Sequence, residues 1–142
     1  MNSSASAGYS GTPQLRKLGI APGTTLAIVR QPDGWNFEAP LPDGVTTARP
    51  GGRLSVDIVL TFVREPGELR ALETWGERIF PSGAIWVAWP RKAAGHLSEV
   101  TENLIRERAL ALGLVDVKVA AIDADWSGLK VVWRKELRDR PR

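Results

Sequence analysis

A chain of 142 residues, 43% of them apolar, is the size of one domain and can bury a core of its own. It has no cysteine, which excludes a disulfide, a cysteine-ligated metal and a thiol nucleophile. The net charge of +3 is accounted for by the chain end, where Arg134, Lys135, Arg138, Arg140 and Arg142 stand against Glu136 and Asp139. A globally basic nucleic-acid groove is therefore not indicated, and a basic tail is.

No apolar run approaches the length of a bilayer span, so no membrane role is expected. Met1–Gly8 is small and polar, with neither a basic start nor an apolar core. It reads as a flexible leader rather than a secretion signal, followed by a single α/β domain over 9–137 and a basic tail over 138–142. A cytoplasmic location is the expectation.

The first ordered piece is expected over Thr12–Ile20, a short helix with Thr12 as cap, Pro13 at the first helical position and Gly19 as stop. Leu15 and Leu18 share one face and can dock on a sheet. Pro22-Gly23 turns the chain into a first strand, Thr25–Arg30. Turn chemistry follows in Gln31-Pro32-Asp33-Gly34-Trp35, then Pro40, Pro42 and Gly44, so the usual crossover helix is expected to be missing or stunted. Val45–Arg49 is a short strand toward an edge. Leu54–Val63 is a strong strand, apolar enough to be covered on both faces, with Asp57 needing a partner or a place near the sheet end.

Glu65-Pro66-Gly67 opens a helix in which Leu69, Leu72, Trp75 or Gly76, and Ile79 recur at helical spacing. Pro81 stops it, and Gly83–Pro90 is a central strand with Trp86 and Trp89 on opposite sides. A polar loop, Arg91–Leu97, leads to a second helix over about Ser98–Leu112. Its expected stripe is Val100, Leu104 and Ala111, flanked by Ile105, Ala109 and Leu112, with Glu102 and Arg106 paired on the wet side. Two last strands, Val115–Ile122 and Leu129–Lys135, are joined so tightly that they must be antiparallel neighbours. The expected fold is a single-domain α/β three-layer sandwich with a mostly parallel sheet of about six strands ending in an antiparallel hairpin.

That arrangement is similar to the methyltransferase branch of the Rossmann-like folds, in a reduced form. Fold analogy carries no function by itself. Three segments also resemble a bacterial family catalogued as a domain of unknown function, number 3052. They are Gly8–Pro13 followed by Lys17–Ile20, then Trp86–Lys92, then Trp126–Leu129. The resemblance implies a standalone small cytoplasmic α/β domain and lends no activity and no catalytic residue.

Chemistry follows from what the residues offer. The turn after the first strand has one glycine and a proline, so it is a poor cradle for a dinucleotide or for S-adenosylmethionine, and Arg49 stands where a ribose-holding acid would be needed. His96 is the only histidine, and Asp123 with Asp125 supplies two carboxylates that turns ordinarily spend on their own backbone, so no metal site is assigned. No Gly-x-Ser-x-Gly elbow and no P-loop is present. No catalytic residue is assigned.

The expected working place is the C-terminal edge of the sheet, where α/β proteins gather ligands. The candidate ligand-binding residues are Ser10, Thr12, Trp35, Trp89, Arg91, Lys92, Asp125 and Trp126. Arg91 and Lys92 supply charge, Ser10 and Thr12 hydroxyl donors, and the tryptophans an apolar wall for an anionic small molecule. The leading expectation is a non-catalytic ligand-binding or regulatory domain without a cofactor. One alternative is a small S-adenosylmethionine-dependent methyltransferase-like enzyme. The other is a protein or nucleic-acid module acting through Arg134, Lys135, Arg138, Arg140 and Arg142.

Overall fold

The computed structural model describes residues 12–139. The opening helix, α1, spans Gln14–Leu18. Gly19 ends it at φ 85°, and the N–H groups of Gly19 and Ile20 turn back to the carbonyls of Arg16 and Leu15 at 3.0 and 2.9 Å. Leu15 and Leu18 both reach the sheet. The start differs from expectation. Pro13, not Thr12, is the N-cap, and no side chain caps the helix there. Gln14 is buried and holds α1 in place instead, donating to the Ile122 carbonyl at 2.8 Å and accepting from the Glu38 N–H at 2.8 Å.

Strand β1 (Thr25–Val29) is followed by residues 30–45, which contain no helix, before the two-residue strand β2, Thr46–Thr47. Trp35, Phe37, Leu41 and Val45 cover the sheet face there, so an irregular apolar strap does the covering that a crossover helix would do. The expected strand over Leu54–Val63 is shorter as a ladder. β3 runs over Ile58–Phe62 with all five residues buried, while Leu54 is exposed. Asp57 stands at the strand entrance and accepts from the Thr25 N–H at 2.9 Å.

A 3₁₀ turn, Pro66–Arg70, leads into helix α2, Ala71–Ile79, which buries Leu72, Trp75, Gly76 and Ile79. Strand β4 covers Ala84–Pro90. After a loop holding a 3₁₀ turn, Lys92–Ala94, helix α3 runs over Glu102–Leu112. It starts later than expected because Thr101, rather than Ser98, caps it, accepting from the Leu104 N–H at 3.1 Å. Val100 therefore lies outside the helix and does not set its phase. The buried stripe is Ile105 and Ala109 with Leu112 at its edge, and Ala111 is exposed. Glu102 and Arg106 pair as expected, and Arg106 also reaches Asp116 on the next strand at 3.1 Å.

Strands β5 (Leu114–Ala121) and β6 (Trp126–Trp133) form the antiparallel hairpin, and a last short helix, α4, spans Lys135–Arg138. The sheet order is β2-β1-β3-β4-β6-β5, with β1 to β4 parallel and β6 inserted antiparallel between β4 and β5. That is a mostly parallel, Rossmann-like sheet of the methyltransferase-like kind. Helices α2 and α3 cover one face; α1 and the strap cover the other, completing three layers. Trp86 lies in the second of these cores and Trp89 against the first, on opposite sides of β4.

Gly83 sets how closely β4 approaches its neighbours. A Cβ there would stand 2.5 Å from the Val56 carbonyl oxygen, 2.9 Å from that of Ile79 and 3.0 Å from that of Asp57. All three are backbone atoms that cannot swing aside. Gly83→Ala is expected to destabilise the domain by about 2 kcal/mol or more in urea unfolding, and a change below about 0.5 kcal/mol would refute that close approach.

Candidate functional site

The parallel strands β1, β3 and β4 end at one edge of the sheet, and the β5–β6 turn meets them there. Pairing of Pro90 with Trp126 and of Trp89 with Ser127 brings the exit of β4 against the entrance of β6. The Arg91 N–H donates to the Asp125 carbonyl at 2.8 Å, and the Arg91 guanidinium reaches the carbonyls of Asp123 and Ala124 at 3.4 and 3.3 Å. His96 then meets the Asp125 carboxylate at 3.0 Å. The loop after β4 is thus tied twice to the hairpin turn.

Between that loop, the end of β4 and the start of α3 lies a pocket of about 570 Å³. Trp89, Leu97 and Val100 are among its apolar lining; Arg91, Lys92 and His96 bring cationic or ionisable groups, and Ser98, Thr101 and Ser127 hydroxyls. Glu102 is the one carboxylate in its wall. Ser98 also donates to the Arg64 carbonyl at 3.0 Å, joining this loop to the end of β3.

The opposite face is filled. The Trp35 indole packs edge-on against Phe37 and Phe62, both with centroids 4.9 Å away, and Phe62 packs on Trp126 at 5.0 Å. The Trp35 N–H donates to one carboxylate oxygen of Asp123 at 2.8 Å; the other oxygen accepts from the N–H groups of Asp125 and Trp126 at 2.8 and 2.9 Å. Asp123 therefore spends its carboxylate on the turn and on Trp35. Among the described residues, no group of three or more histidine or carboxylate side chains converges as a metal site would require.

The candidate residues divide accordingly. Trp89, Arg91 and Lys92 line the β4–α3 pocket. Trp35 and Trp126 lie on the other face, with Trp126 only 7% exposed, and Asp125 bridges the two groups through His96 and Arg91. Thr12 leads into α1 on the Trp35 face. Ser10, and with it most of Gly8–Pro13, lies outside the described residues, as do Arg140 and Arg142. In the tail, the Arg138 guanidinium donates to the Trp133 carbonyl at 2.8 Å, and the Arg134 N–H donates to the Gly113 carbonyl at 3.0 Å.

Reasoning from the sequence did not single out Arg64 and Glu68, or Arg30 beyond its place at a strand end. The strand order reverses between β1 and β3, the crevice where open α/β sheets take ligands. A smaller pocket of about 220 Å³ opens there, lined by Arg30, Gln31, Phe62, Arg64 and Glu68. Glu68 accepts from the Arg30 guanidinium at 2.6 Å and from the Arg64 N–H at 2.8 Å. Burial acts to raise the Glu68 carboxyl; the Arg64 N–H and the Arg30 charge outweigh it, leaving the pKa below the ordinary glutamate value. The only sequence signal for this cluster is a cation directly after each of two apolar runs, Arg30 after Val29 and Arg64 after Val63.

No protein-family model matches the chain, and no curated protein does. Among solved structures, a chain of the fibrillarin/Nop5p complex is similar with 13% sequence identity and a TM-score of 0.39, over 66% of this chain and 49% of that one. The chain thus spans about half the length of that neighbour. The fold described above rests on the strand order and register, independently of that likeness.

Proposed function

We propose that the protein is a non-catalytic ligand-binding or regulatory domain of the bacterial cytoplasm, holding a small anionic molecule in the β4–α3 pocket. The observation that carries this reading is the pocket of about 570 Å³, where Trp89 offers a flat apolar wall beside Arg91, Lys92 and His96. An aromatic wall beside cations suits a ligand with a planar or apolar body and a carboxylate or phosphate. Membership of the domain-of-unknown-function family 3052 is part of the same proposal. Two of the three segments that resemble it, Trp86–Lys92 and Trp126–Leu129, pair with each other at this edge.

The alternative, a methyltransferase-like enzyme, draws on the strand order. Two features favour the binding reading over it. The turn after β1 is closed by Trp35 on Phe62 and Phe37, leaving no glycine-rich backbone free to approach a cofactor. The edge is also lined by more cationic side chains than carboxylates, which opposes the net positive S-adenosylmethionine.

Calorimetric titration separates the readings, with adenosine monophosphate as a probe that joins a flat ring to a dianion and S-adenosylmethionine as the competitor. Adenosine monophosphate is expected to bind saturably, and Trp89→Ala and Lys92→Ala are each expected to weaken it about tenfold. Tight saturable binding of S-adenosylmethionine, with none of adenosine monophosphate, would replace this reading by the enzymatic one.

A further inference from the structure

We propose a second, separate site at the crevice between β1 and β3, in which Arg30 and Arg64 hold a small oxyanion, a carboxylate or phosphate group, with Glu68 occupying part of its seat until it binds. Each of these neighbouring parallel strands is followed by an arginine. The register pairs Val29 with Thr61, so Arg30 and Arg64 emerge at the same edge, around one pocket of about 220 Å³.

Their states differ. The Arg30 guanidinium is engaged by Glu68 at 2.6 Å. The Arg64 guanidinium rests over the Trp126 ring, 5.3 Å from its centroid, and among the described residues no carboxylate pairs with it. The ring face leaves the edge N–H donors of Arg64 open to a planar oxyanion. Two guanidiniums against one carboxylate leave the pocket with an uncompensated positive charge. The N–H of Arg64 already holds a carboxylate oxygen of Glu68 at 2.8 Å, so one oxyanion-binding donor is in place on the backbone as well.

Backbone conformation supplies an independent observation. Arg30 adopts φ 58°, the one described non-glycine residue in the left-handed region. An arginine held there at a ligand crevice is strain of the kind that functional sites retain. Pro32 removes an N–H from the turn where a phosphate-binding loop would offer several. Side-chain guanidiniums therefore take the role that a glycine-rich backbone has in nucleotide-binding relatives of this architecture. The Arg30–Glu68 pair also forms a shared wall with a neighbouring pocket of about 350 Å³ lined by Arg70, Thr74 and Trp75. An oxyanion that displaces Glu68 from Arg30 would open one space into the other.

The test titrates inorganic phosphate, and separately acetate, at constant ionic strength while following the arginine side-chain N–H resonances by NMR. A saturable shift at Arg30 and Arg64 is expected with at least one of the two ions, and the tighter one identifies the group as phosphate or carboxylate. Arg64→Gln, on an exposed side chain, is expected to weaken binding about tenfold, and Glu68→Gln, which releases Arg30, to strengthen it severalfold. Arg91→Ala combined with Lys92→Ala is expected to leave it unchanged. Linear drift without saturation for both ions up to about 20 mM overturns the proposal. So does a response lost in the Arg91/Lys92 variant and kept in Arg64→Gln. If Glu68→Gln does not fold, judged by its amide spectrum, Arg64→Gln alone decides.

Discussion

Trp86→Ala is expected to destabilise the domain by about 3–5 kcal/mol, a large part of what a domain of this size possesses. Trp86 is fully buried in the middle of β4, and its indole N–H donates to the Leu18 carbonyl at 3.1 Å, tying α1 to the sheet. Its ring edge closes on Gly128 of β6, where an added Cβ would stand 3.1 Å away. Truncation leaves a cavity the size of an indole between three elements and strands the Leu18 carbonyl at the end of α1. Urea unfolding followed by far-ultraviolet circular dichroism measures the loss. Trp86→Phe, which retains most of the ring and loses the hydrogen bond, is expected to cost about 1–2 kcal/mol. If alanine and phenylalanine cost the same, the hydrogen bond and not the packing carries the position.

The second large effect is expected from Asp123→Ala, at about 2–4 kcal/mol. One carboxylate holds the Trp35 indole N–H and the two backbone N–H groups of Asp125 and Trp126. Its removal loosens the β5–β6 turn together with the strap that replaces the first crossover helix. Because the Arg91 N–H and guanidinium bind carbonyls of that same turn, the β4–α3 pocket is expected to lose order as well. Asp123→Asn keeps one acceptor for the turn but places an amide donor or a rotated oxygen against Trp35, so it is expected to fall between alanine and the parent. Hydrogen exchange of the Asp125 and Trp126 amides reads this directly. Unchanged protection in Asp123→Ala would show that the turn stands without the carboxylate.

Much of the architecture was legible because its signals are local. Continuous apolar runs marked β1, β3 and β4, glycines at positive φ closed α1 and α3, and the Asp123–Gly128 segment was too short for anything but an antiparallel hairpin, although β6 already begins at Trp126 and not at the expected Leu129. The absence of a helix between β1 and β2 was likewise foretold by Pro32, Gly34, Pro40, Pro42 and Gly44. The misreadings fell at the helix starts. Ser98, Thr101 and Thr12 are all residues that can cap a helix, and which one does depends on what else claims the hydroxyl or the entry angle. Ser98 donates to Arg64, across the gap to β3, and leaves Thr101 to cap α3.

The candidate site was only half legible. Trp89, Arg91 and Lys92 are adjacent in sequence, so their company in one pocket follows from position. Trp35 and Trp126 carried the same aromatic signal, yet face the other layer: the side that the strap holding Trp35 crosses is set by crossover handedness, and that of Trp126 by pleat alternation along β6. The pairing of Trp35 with Asp123, of Gln14 with Ile122 and of Arg30 with Glu68 spans 88, 108 and 38 residues, and no local pattern specifies such partners.

From the amino-acid sequence alone came the class of the fold, the hairpin, the missing helix and an edge rich in tryptophan and cations, because periodicity, breakers and charge are properties of neighbouring residues. Only the tertiary structure decided that β6 inserts between β4 and β5, that the strap replaces a helix layer, and that Arg30 and Arg64 meet at the reversal of strand order. Those outcomes depend on which strands and loops meet, and the partners of elements that are not consecutive in the chain are chosen across long stretches of it rather than within them.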